Sequence, residues 1–249
     1  MSKDAISRRA FVTGAAALAS GLLLPACRGV VLPPTYGSLL EAGDALTFAS
    51  HRAWLRRDAL VREFGREAIS RTFPAIGTTD PEDETYQKMH QAGFDAFRLP
   101  VSGLVERPQS LSLAQLKGFP ARSQITQHNC ERGWSAIAEW TGVPLAHVLA
   151  HVGLKPEARY VVFRCVDGWW DSIELLDALH PQTLLAYGMN GAGIPVAHGA
   201  PVRLRVERQL GYKSLKFLTS VQVVDDLSQV EDGTGAMVTA FGYSWYAGI

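Results

Sequence analysis

Short apolar runs separated by turn residues constrain the fold of this chain more than any other feature of its sequence. Runs of this length that are rich in β-branched residues are typical of strands. The sequence has them at Tyr160–Cys165, at Leu184–Met189 and at residues 202–206 and 217–224. Residues 97–101 alternate in polarity and predict a further strand, which Pro100 favours at a sheet edge.

The predicted helices are short. Leu60, Phe64 and Ala68 recur every four residues on a charged background and predict an amphipathic helix over residues 58–71. Other helices are expected at residues 86–92, after the capping box of Ser112 and Gln115, at Leu145–Val152 and at residues 173–179. Residues 73–84, with two prolines and a glycine, are expected to form a loop. Because strands outnumber helices, the sequence predicts an α+β fold with a mixed β-sheet and short helices.

Composition excludes several classes of protein. The 249 residues include 24 basic and 24 acidic side chains, so the chain lacks the excess of cations that nucleic acid binding requires, and no nucleic acid partner is expected. Its 3 cysteines are too few for a disulfide scaffold. With 47% hydrophobic residues the chain has the composition of a globular domain.

The first segment is interpreted as an export signal. Arg8 and Arg9 precede an uncharged stretch, which resembles the twin-arginine signal of folded proteins. Residues 24–27 resemble a lipobox, in which Cys27 would carry a lipid and be the only membrane attachment; the alternative is an uncleaved membrane anchor. We therefore expect a signal at 1–27, a tether at 28–57, an N-terminal helical extension at 58–93 and a single catalytic domain at 94–249, located in the periplasm.

Two cysteines lie in the body of the chain. Cys130 stands in a polar stretch with His128 and Arg132 close by, which favours a reactive thiolate. Cys165 ends an apolar strand, where a buried inert thiol is the commoner role.

A basic cluster follows later in the chain. Arg203, Lys213 and Lys216 lie near turn-forming glycine and proline residues and could converge with backbone amides on an anion such as a phosphate. A basic surface hairpin is the alternative interpretation.

Two further patterns carry less weight. His147 and His151 have a zinc-chelating spacing, but Val148 stands where a general base would be needed, so an ordinary helix face is favoured over a zinc hydrolase. Residues 190–193 have too few glycines for a dinucleotide-binding loop and are expected to form a turn.

The polar stretch carries a family resemblance. Residues 127–135 (QHNCERGWS), together with 139–145 (EWTGVPL), resemble the cofactor segment of the sulfite oxidase family of molybdenum enzymes, which includes the periplasmic methionine-sulfoxide reductase catalytic subunit. Residues 99–105, 163–169, 198–204 and 214–217 match further segments of that family in the same order. One departure is Glu131-Arg132, where the family sequence is expected to have a different arrangement around the acidic residue.

The resemblance implies a molybdenum-molybdopterin cofactor and a sulfite oxidase-type fold. Cys130 would be the metal ligand, and His128 would donate to an oxo group or only cap the loop. Asp167 would bond a pterin nitrogen or, as we favour, only make the turn before Gly168. Cofactor-binding positions are implied for Cys165, His198, Arg203, Ser214, Leu215 and Lys216.

The implied activity is two-electron oxygen-atom transfer. Reduction of an S-oxide, including methionine sulfoxide, or of an N-oxide is expected somewhat more than oxidation of sulfite. The chain lacks a haem-attachment motif, so a separate redox partner is expected, either a membrane haem protein or a cytochrome c. The chain ends at Ile249, before any dimerisation domain of the eukaryotic kind would fit. The competing hypothesis is a cofactor-free binding or structural lipoprotein that retains the fold.

Overall fold

The structure is a computed structural model that describes residues 39–56 and 58–249. The expected signal and the first part of the expected tether lie outside these residues. Ten strands carry the fold: β1 (Arg98–Gly103), β2 (Gln109–Ser112), β3 (Arg122–Asn129), β4 (Ser135–Pro144), β5 (Tyr160–Cys165), β6 (Trp170–Glu174), β7 (Leu184–Met189), β8 (Ala192–Gly193), β9 (Arg203–Arg205) and β10 (Leu218–Val224) in the described part. The helices are α1 (Leu39–Trp54), α2 (Glu84–Gln91), α3 (Leu113–Gly118), α4 (Leu145–Val152) and α5 (Leu175–Ala178), with short 3₁₀ helices between strands.

The strands form two sheets. The first has the order β2-β1-β10-β5-β6, and the second has the order β3-β4-β7-β8 with β9 also paired to β7. The β1–β10 pairing is parallel, whereas β10–β5 and β5–β6 are antiparallel, so the first sheet is mixed as the sequence predicts. The short helices join the strands, which confirms the expected α+β class.

The buried apolar residues form one main cluster. It packs the inward faces of β1, β5 and β10 against α4, whose Leu145, Val148, Leu149 and Val152 are fully buried. These side chains recur at intervals of three and four residues, which gives α4 one apolar face, and burial of that face stabilises the helix far more than its propensity does.

Most local predictions from spacing are confirmed. Strands β5 and β7 and helix α4 have the predicted bounds, and the capping box of Ser112 and Gln115 opens α3. Of the expected turn at residues 190–193, Asn190 and Gly191 form the tight β7–β8 turn, both at positive φ, and residues 192 and 193 form β8. At residues 173–179 only the second half is helical, because residues 173 and 174 extend β6.

Pro100 does not lie at a sheet edge, so that prediction is wrong. Strand β1 pairs with β2 on one side and with β10 on the other. The pairing with β10 begins at Val101. Pro100 therefore lies outside the β10 ladder, although it is in register with Ser110 of β2.

The predicted helix over residues 58–71 is also wrong. Only Arg66–Ala68 forms a 3₁₀ turn. Glu63 makes an isolated bridge to Thr126, and the Phe64 N–H donates to the Ile125 carbonyl at 2.9 Å. The segment is thus held extended along β3, because backbone pairing to an open strand edge outweighs a weak helical spacing.

The second half of the expected tether is folded onto the body. Phe48 of α1 is fully buried and packs edge-on against Tyr246, with ring centroids 4.8 Å apart. Arg52 bonds Asp177 and Glu174, with closest distances of 2.5 and 2.8 Å. Helix α1 is therefore part of the domain. No helix in the described part of the chain is both long and apolar enough to cross a membrane.

Candidate active site

Two hairpin loops share the pattern Cys-x-x-Gly-Trp, one in each sheet. In the β3–β4 loop, the Cys130 N–H donates to the Trp134 carbonyl at 2.9 Å and the Gly133 N–H donates to the Cys130 carbonyl at 3.1 Å. In the β5–β6 loop, Cys165–Trp169, the same two bonds measure 2.9 and 3.2 Å. The glycine of each loop has a positive φ, 84° and 79°, which favours glycine at both positions. Each loop therefore holds one cysteine and one tryptophan in a defined turn.

A cavity of about 290 Å³, open to solvent, contacts both loops. Its wall includes Cys130, Trp134, Asp167 and Trp169 from the hairpins. The rest of the wall comes from residues 73–78, 197–198, 203, 211–212 and 214–216, together with His128, Glu131 and Arg132. Three cationic side chains (Arg132, Arg203, Lys216) and two carboxylates (Glu131, Asp167) line the cavity. Its aromatic wall also contacts the second sheet, where the Phe73 ring packs against Trp140 of β4.

Phe73 organises the aromatic part of the wall. Its ring lies 5.4 to 5.9 Å from the rings of His128, Trp134, Trp140 and His198. The loop that carries Phe73 is predicted from sequence as a loop, but nothing in its residue pattern indicates that it reaches the site.

Cys130 is a free, buried thiol at the start of its hairpin loop. Burial and the neighbouring Glu131 carboxylate raise its pKa, and its Sγ lies 3.4 Å from Glu131 Oε2, to which the thiol donates. Without a bound metal the group is therefore a protonated thiol. A coordinating metal would displace that proton.

His128 is held as a neutral imidazole. Arg205 Nη1 donates to His128 Nδ1 at 2.9 Å, which leaves the ring proton on Nε2. Burial, Arg205 and Arg203 lower the pKa of His128 to about 2. The other edge of the ring lies against Gly211, where an added Cβ would be only 2.4 Å from Nε2.

Arg205 belongs to a buried network that sequence reasoning missed. Its guanidinium forms a bidentate ion pair with Glu207: Nε donates to Oε1 at 3.0 Å and Nη2 donates to Oε2 at 2.8 Å. The guanidinium also lies over the Trp140 ring. Gln124 Nε2 donates to Glu207 at 3.1 Å. The alternation Arg203, Arg205, Glu207 in the sequence is the one signal that all three side chains share a face of β9 and its continuation.

Arg203 is buried on the cavity wall. Nη1 donates to the His198 carbonyl at 2.8 Å and Nη2 to the Ser214 carbonyl at 2.7 Å, while Nε has no partner. Burial and the nearby Arg205 lower the pKa of Arg203. An anion at this wall would compensate both effects.

Lys216 is a second cation of the wall. Its ammonium donates to the carbonyls of Thr78 and Ala197. Burial and Arg203 lower the pKa of Lys216 to about 8, and burial with these two cations also lowers the pKa of His198. Gly199, at φ 104°, lets the chain pass next to Lys216, since an added Cβ would lie 2.9 Å from the lysine Cβ.

The predicted convergence of Lys213 on the same anion is wrong. Its side chain is buried away from the cavity and bonds Asp171 Oδ1 at 2.6 Å and the Ser172 carbonyl at 3.1 Å. The 3₁₀ helix at Gly211–Lys213 turns this side chain toward β6 while Gly211 and Tyr212 face the cavity.

The structure gathers most of the predicted site residues on one cavity. The residues on its wall are Cys130, His128, His198, Arg203, Ser214, Leu215 and Lys216. Cys165 is not on the wall but packs in the main apolar core, although Asp167 and Trp169 of its loop reach the cavity. The Asp167 carboxylate accepts from the Trp169 N–H at 3.3 Å, as expected for the turn.

The donors on this wall fit a molybdopterin with its metal. Trp134 Nε1 and Arg203 Nε are buried donors without a partner, and both residues line the cavity. Within residues 39–56 and 58–249, no three His, Cys, Asp or Glu side chains form a metal site, and His147 and His151 lie exposed on α4. A single thiol beside cationic donors suits a metal whose other ligands come from an anionic cofactor.

Fold and site together define a molybdopterin-binding protein of the sulfite oxidase type. The sequence profile of the family described as "Oxidoreductase molybdopterin binding domain" matches residues 86–231, and the chain belongs to this family. The matched residues include every cavity residue named above except those of the 73–78 loop.

Several known proteins resemble the chain. It is 39% identical over 153 residues to a putative protein-methionine-sulfoxide reductase subunit YedZ1 of Azospira oryzae, covering 61% of this chain and 56% of that protein. It is 35% identical over 145 residues to the protein-methionine-sulfoxide reductase catalytic subunit MsrP of Xanthomonas campestris pv. campestris, covering 52% and 45%. The uncharacterized oxidoreductase YuiH of Bacillus subtilis is 32% identical, covering 62% and 75%.

A solved structure also matches. The sulfane dehydrogenase SoxCD of Paracoccus pantotrophus aligns with a TM-score of 0.51 and 25% identity, covering 53% of this chain and 39% of that chain. This match confirms the expected fold. The chain spans about half the length of the first methionine-sulfoxide reductase relatives that it matches.

Proposed function

We propose that this protein is the catalytic part of a molybdenum-dependent oxidoreductase that reduces S-oxides, with methionine sulfoxide as the leading substrate class. The observation that carries the proposal is the free thiol of Cys130 on the wall of a cavity with two unpartnered donors. The names of the relatives support reduction rather than sulfite oxidation. The reaction takes two electrons and two protons, breaks the S–O bond and yields a thioether and water.

The bound cofactor would supply two-electron oxygen-atom transfer, and the chain would bind and orient it. Cys130 would be the protein ligand of the metal. Arg203, Lys216 and the backbone of Ser214–Leu215 would bind the pterin and its phosphate, with His198 beside them. Neutral His128 would hold a proton on Nε2 at the edge of the cavity wall, and Cys165 would support the site from the core.

The electrons would come from a separate redox protein, either a membrane haem protein or a cytochrome c. The term "catalytic subunit" in the name of a relative supports a second subunit. We further propose export of the folded protein to the periplasm through the signal at 1–27, with a lipid on Cys27 as the membrane attachment.

The two hairpin cysteines provide a matched test of the ligand assignment. We expect Cys130→Ser to abolish S-oxide reduction by a chemically reduced dye and to remove the sulfur-to-metal absorption, while the pterin stays bound. Cys165→Ser should be mild, because a hydroxyl of similar size can replace a thiol that only packs there. Molybdenum analysis, pterin fluorescence and the visible spectrum measure these outcomes.

The same experiment can refute the proposal. Purified parent protein should contain about one molybdenum per chain. Zinc or no metal would favour a binding or structural lipoprotein. Equal loss of activity in both variants, with no free thiol in the unfolded apoprotein, would indicate a disulfide instead of a metal ligand.

Export has its own test. Replacing Arg8 and Arg9 by lysine should leave the protein in the cytoplasm, because lysine does not reproduce the planar guanidinium. Cys27→Ser should release a soluble periplasmic protein. Normal fractionation of the double lysine variant would contradict the signal assignment, and unchanged membrane association of Cys27→Ser would indicate an uncleaved anchor.

A further inference from the structure

Aromatic side chains of the C-terminal segment stand beside the cavity wall. Trp169 and Tyr212 line the cavity and are partly exposed. Phe241 lies parallel to Trp169, with ring centroids 6.1 Å apart and planes within 1°, and Tyr243 packs on Tyr212 at 5.4 Å. These four side chains, here called the aromatic rim, extend the wall outward from the cavity.

The rim is fixed to the body of the protein. Tyr212 Oη donates to the Ser244 carbonyl at 2.7 Å, and Trp245 Nε1 donates to Ser172 Oγ at 2.8 Å in the interior. In spite of these anchors, Phe241 remains 65% and Tyr243 43% exposed. Exposed apolar side chains that form one patch, as opposed to single scattered ones, are typical of binding surfaces. Both residues lie beyond the family match at 86–231.

The cavity and the rim differ in chemistry. The cavity holds Cys130, the proposed metal ligand, so the dipolar S–O group of a substrate would react there. The rim offers aromatic faces, which bind alkyl, thioether and aromatic groups. An inorganic oxyanion such as sulfite has no carbon group that could contact the rim. An S-oxide that is part of a polypeptide has both parts, a dipolar S–O group and apolar neighbours.

We propose that the aromatic rim is a substrate-recognition surface, in which Phe241 and Tyr243 bind apolar side chains that flank an S-oxide in a polypeptide. This inference rests on the proposed function. Continuity favours a substrate over a redox protein as the occupant, because Trp169 and Tyr212 belong to both rim and cavity wall. A segment held on the rim can therefore insert its S-oxide side chain into the cavity.

The test compares substrates with and without groups for the rim. The holoenzyme and its Phe241→Ala and Tyr243→Ala variants are assayed with a methionine-sulfoxide peptide flanked by leucine and phenylalanine, and with dimethyl sulfoxide. The ratio of kcat/KM for the peptide to that for dimethyl sulfoxide should fall about threefold to tenfold in each variant, through KM. Trp54→Ala is the control, because Trp54 is an aromatic residue 87% exposed and outside the rim, and the ratio should not change.

A binding measurement separates this inference from the proposed function. Fluorescence anisotropy of the labelled peptide reports its Kd without turnover, and the Kd should rise by the same factor in the rim variants but not in Phe241→Leu, which keeps apolar bulk. If the parent reduces no S-oxide but the peptide binds in a rim-dependent way, only the proposed function fails.

Other results would contradict substrate recognition by the aromatic rim. An unchanged peptide Kd and KM in both alanine variants, or a peptide that does not bind the parent at all, would do so. The alanine variants could instead turn over both substrates equally slowly with a protein electron donor, but normally with a reduced dye. That result would assign the surface to the redox partner. Unchanged thermal unfolding of each variant excludes loss of the fold as the cause.

Discussion

Replacing Gly211 by alanine tests how tightly the cavity wall packs against His128. The backbone of Gly211 has no positive φ, so the only cost is steric. The new Cβ would lie 2.4 Å from His128 Nε2 and 2.5 Å from Cε1, about 1 Å less than an ordinary contact of 3.4 Å. The ring has little room to move, because Arg205 holds Nδ1 at 2.9 Å and Trp134 lies 5.3 Å from the ring centroid. We expect the free energy of unfolding to fall by about 1–3 kcal/mol.

A double-mutant cycle shows whether that cost arises at His128. In a His128→Ala background the ring is absent and the nearest remaining atom outside the adjoining residues is the Asn129 carbonyl oxygen at 3.2 Å, so Gly211→Ala should cost at least about 0.5 kcal/mol less than in the parent. Gly118→Ala is the matched control, since its added Cβ meets nothing within 4 Å. Urea unfolding of the apoproteins, followed by circular dichroism, gives all five values. A Gly211→Ala variant as mild as Gly118→Ala, or one that costs the same with and without the His128 ring, would contradict tight packing of Gly211 against His128.

Three further outcomes are expected. Arg203→Ala and Lys216→Ala should each lower pterin content after dialysis, with a charge-assisted hydrogen bond of roughly 1.5–3 kcal/mol lost in each case, and full occupancy in the double variant would contradict the assignment. Because the pKa of Lys216 is lowered to about 8, the affinity of the cofactor-free protein for sulfate should fall as the pH rises through 8. The Lys216→Arg variant should lose that pH dependence. A sulfate affinity of the parent that is constant from pH 7 to 9 would contradict this prediction. Lys213→Met should lower the free energy of unfolding by about 3–5 kcal/mol, because it leaves the buried Asp171 carboxylate without its cation. Adding Asp171→Asn to that variant should recover part of the loss. A cost of Lys213→Met below about 1 kcal/mol in urea unfolding would argue against a buried ion pair.

Local pattern was informative where one face of an element is apolar. The repeat of Leu145, Val148, Leu149 and Val152 predicted α4, because each of these side chains enters the same core. The apolar run of β5 and the turn at residues 190–193 were readable for the same local reason. The family motifs also predict that Cys130, His198, Arg203 and Lys216 share one site, and all four line the cavity.

Pattern was misleading where polar side chains face inward. Strand β3 was not predicted, because its buried face carries Gln124, Thr126 and His128, which support the site and hide the usual alternation. Conversely, the spacing of Leu60, Phe64 and Ala68 suggested a helix that pairing with β3 prevents. The spacing of apolar residues in a segment predicts its secondary structure only when the surface that the segment packs against is itself apolar.

Residue pattern and family motifs therefore predict the α+β class, the family, five of the ten described strands and seven of the residues on the cavity wall. Tertiary structure alone decided where side chains of similar charge point. Lys213 and Lys216 are three residues apart, yet one is bound to Asp171 in the interior and the other lines the cavity. The Arg205–Glu207 pair behind His128 and the aromatic rim likewise depend on residues far apart in the chain, and their contacts form only when the two sheets and the C-terminal segment pack together.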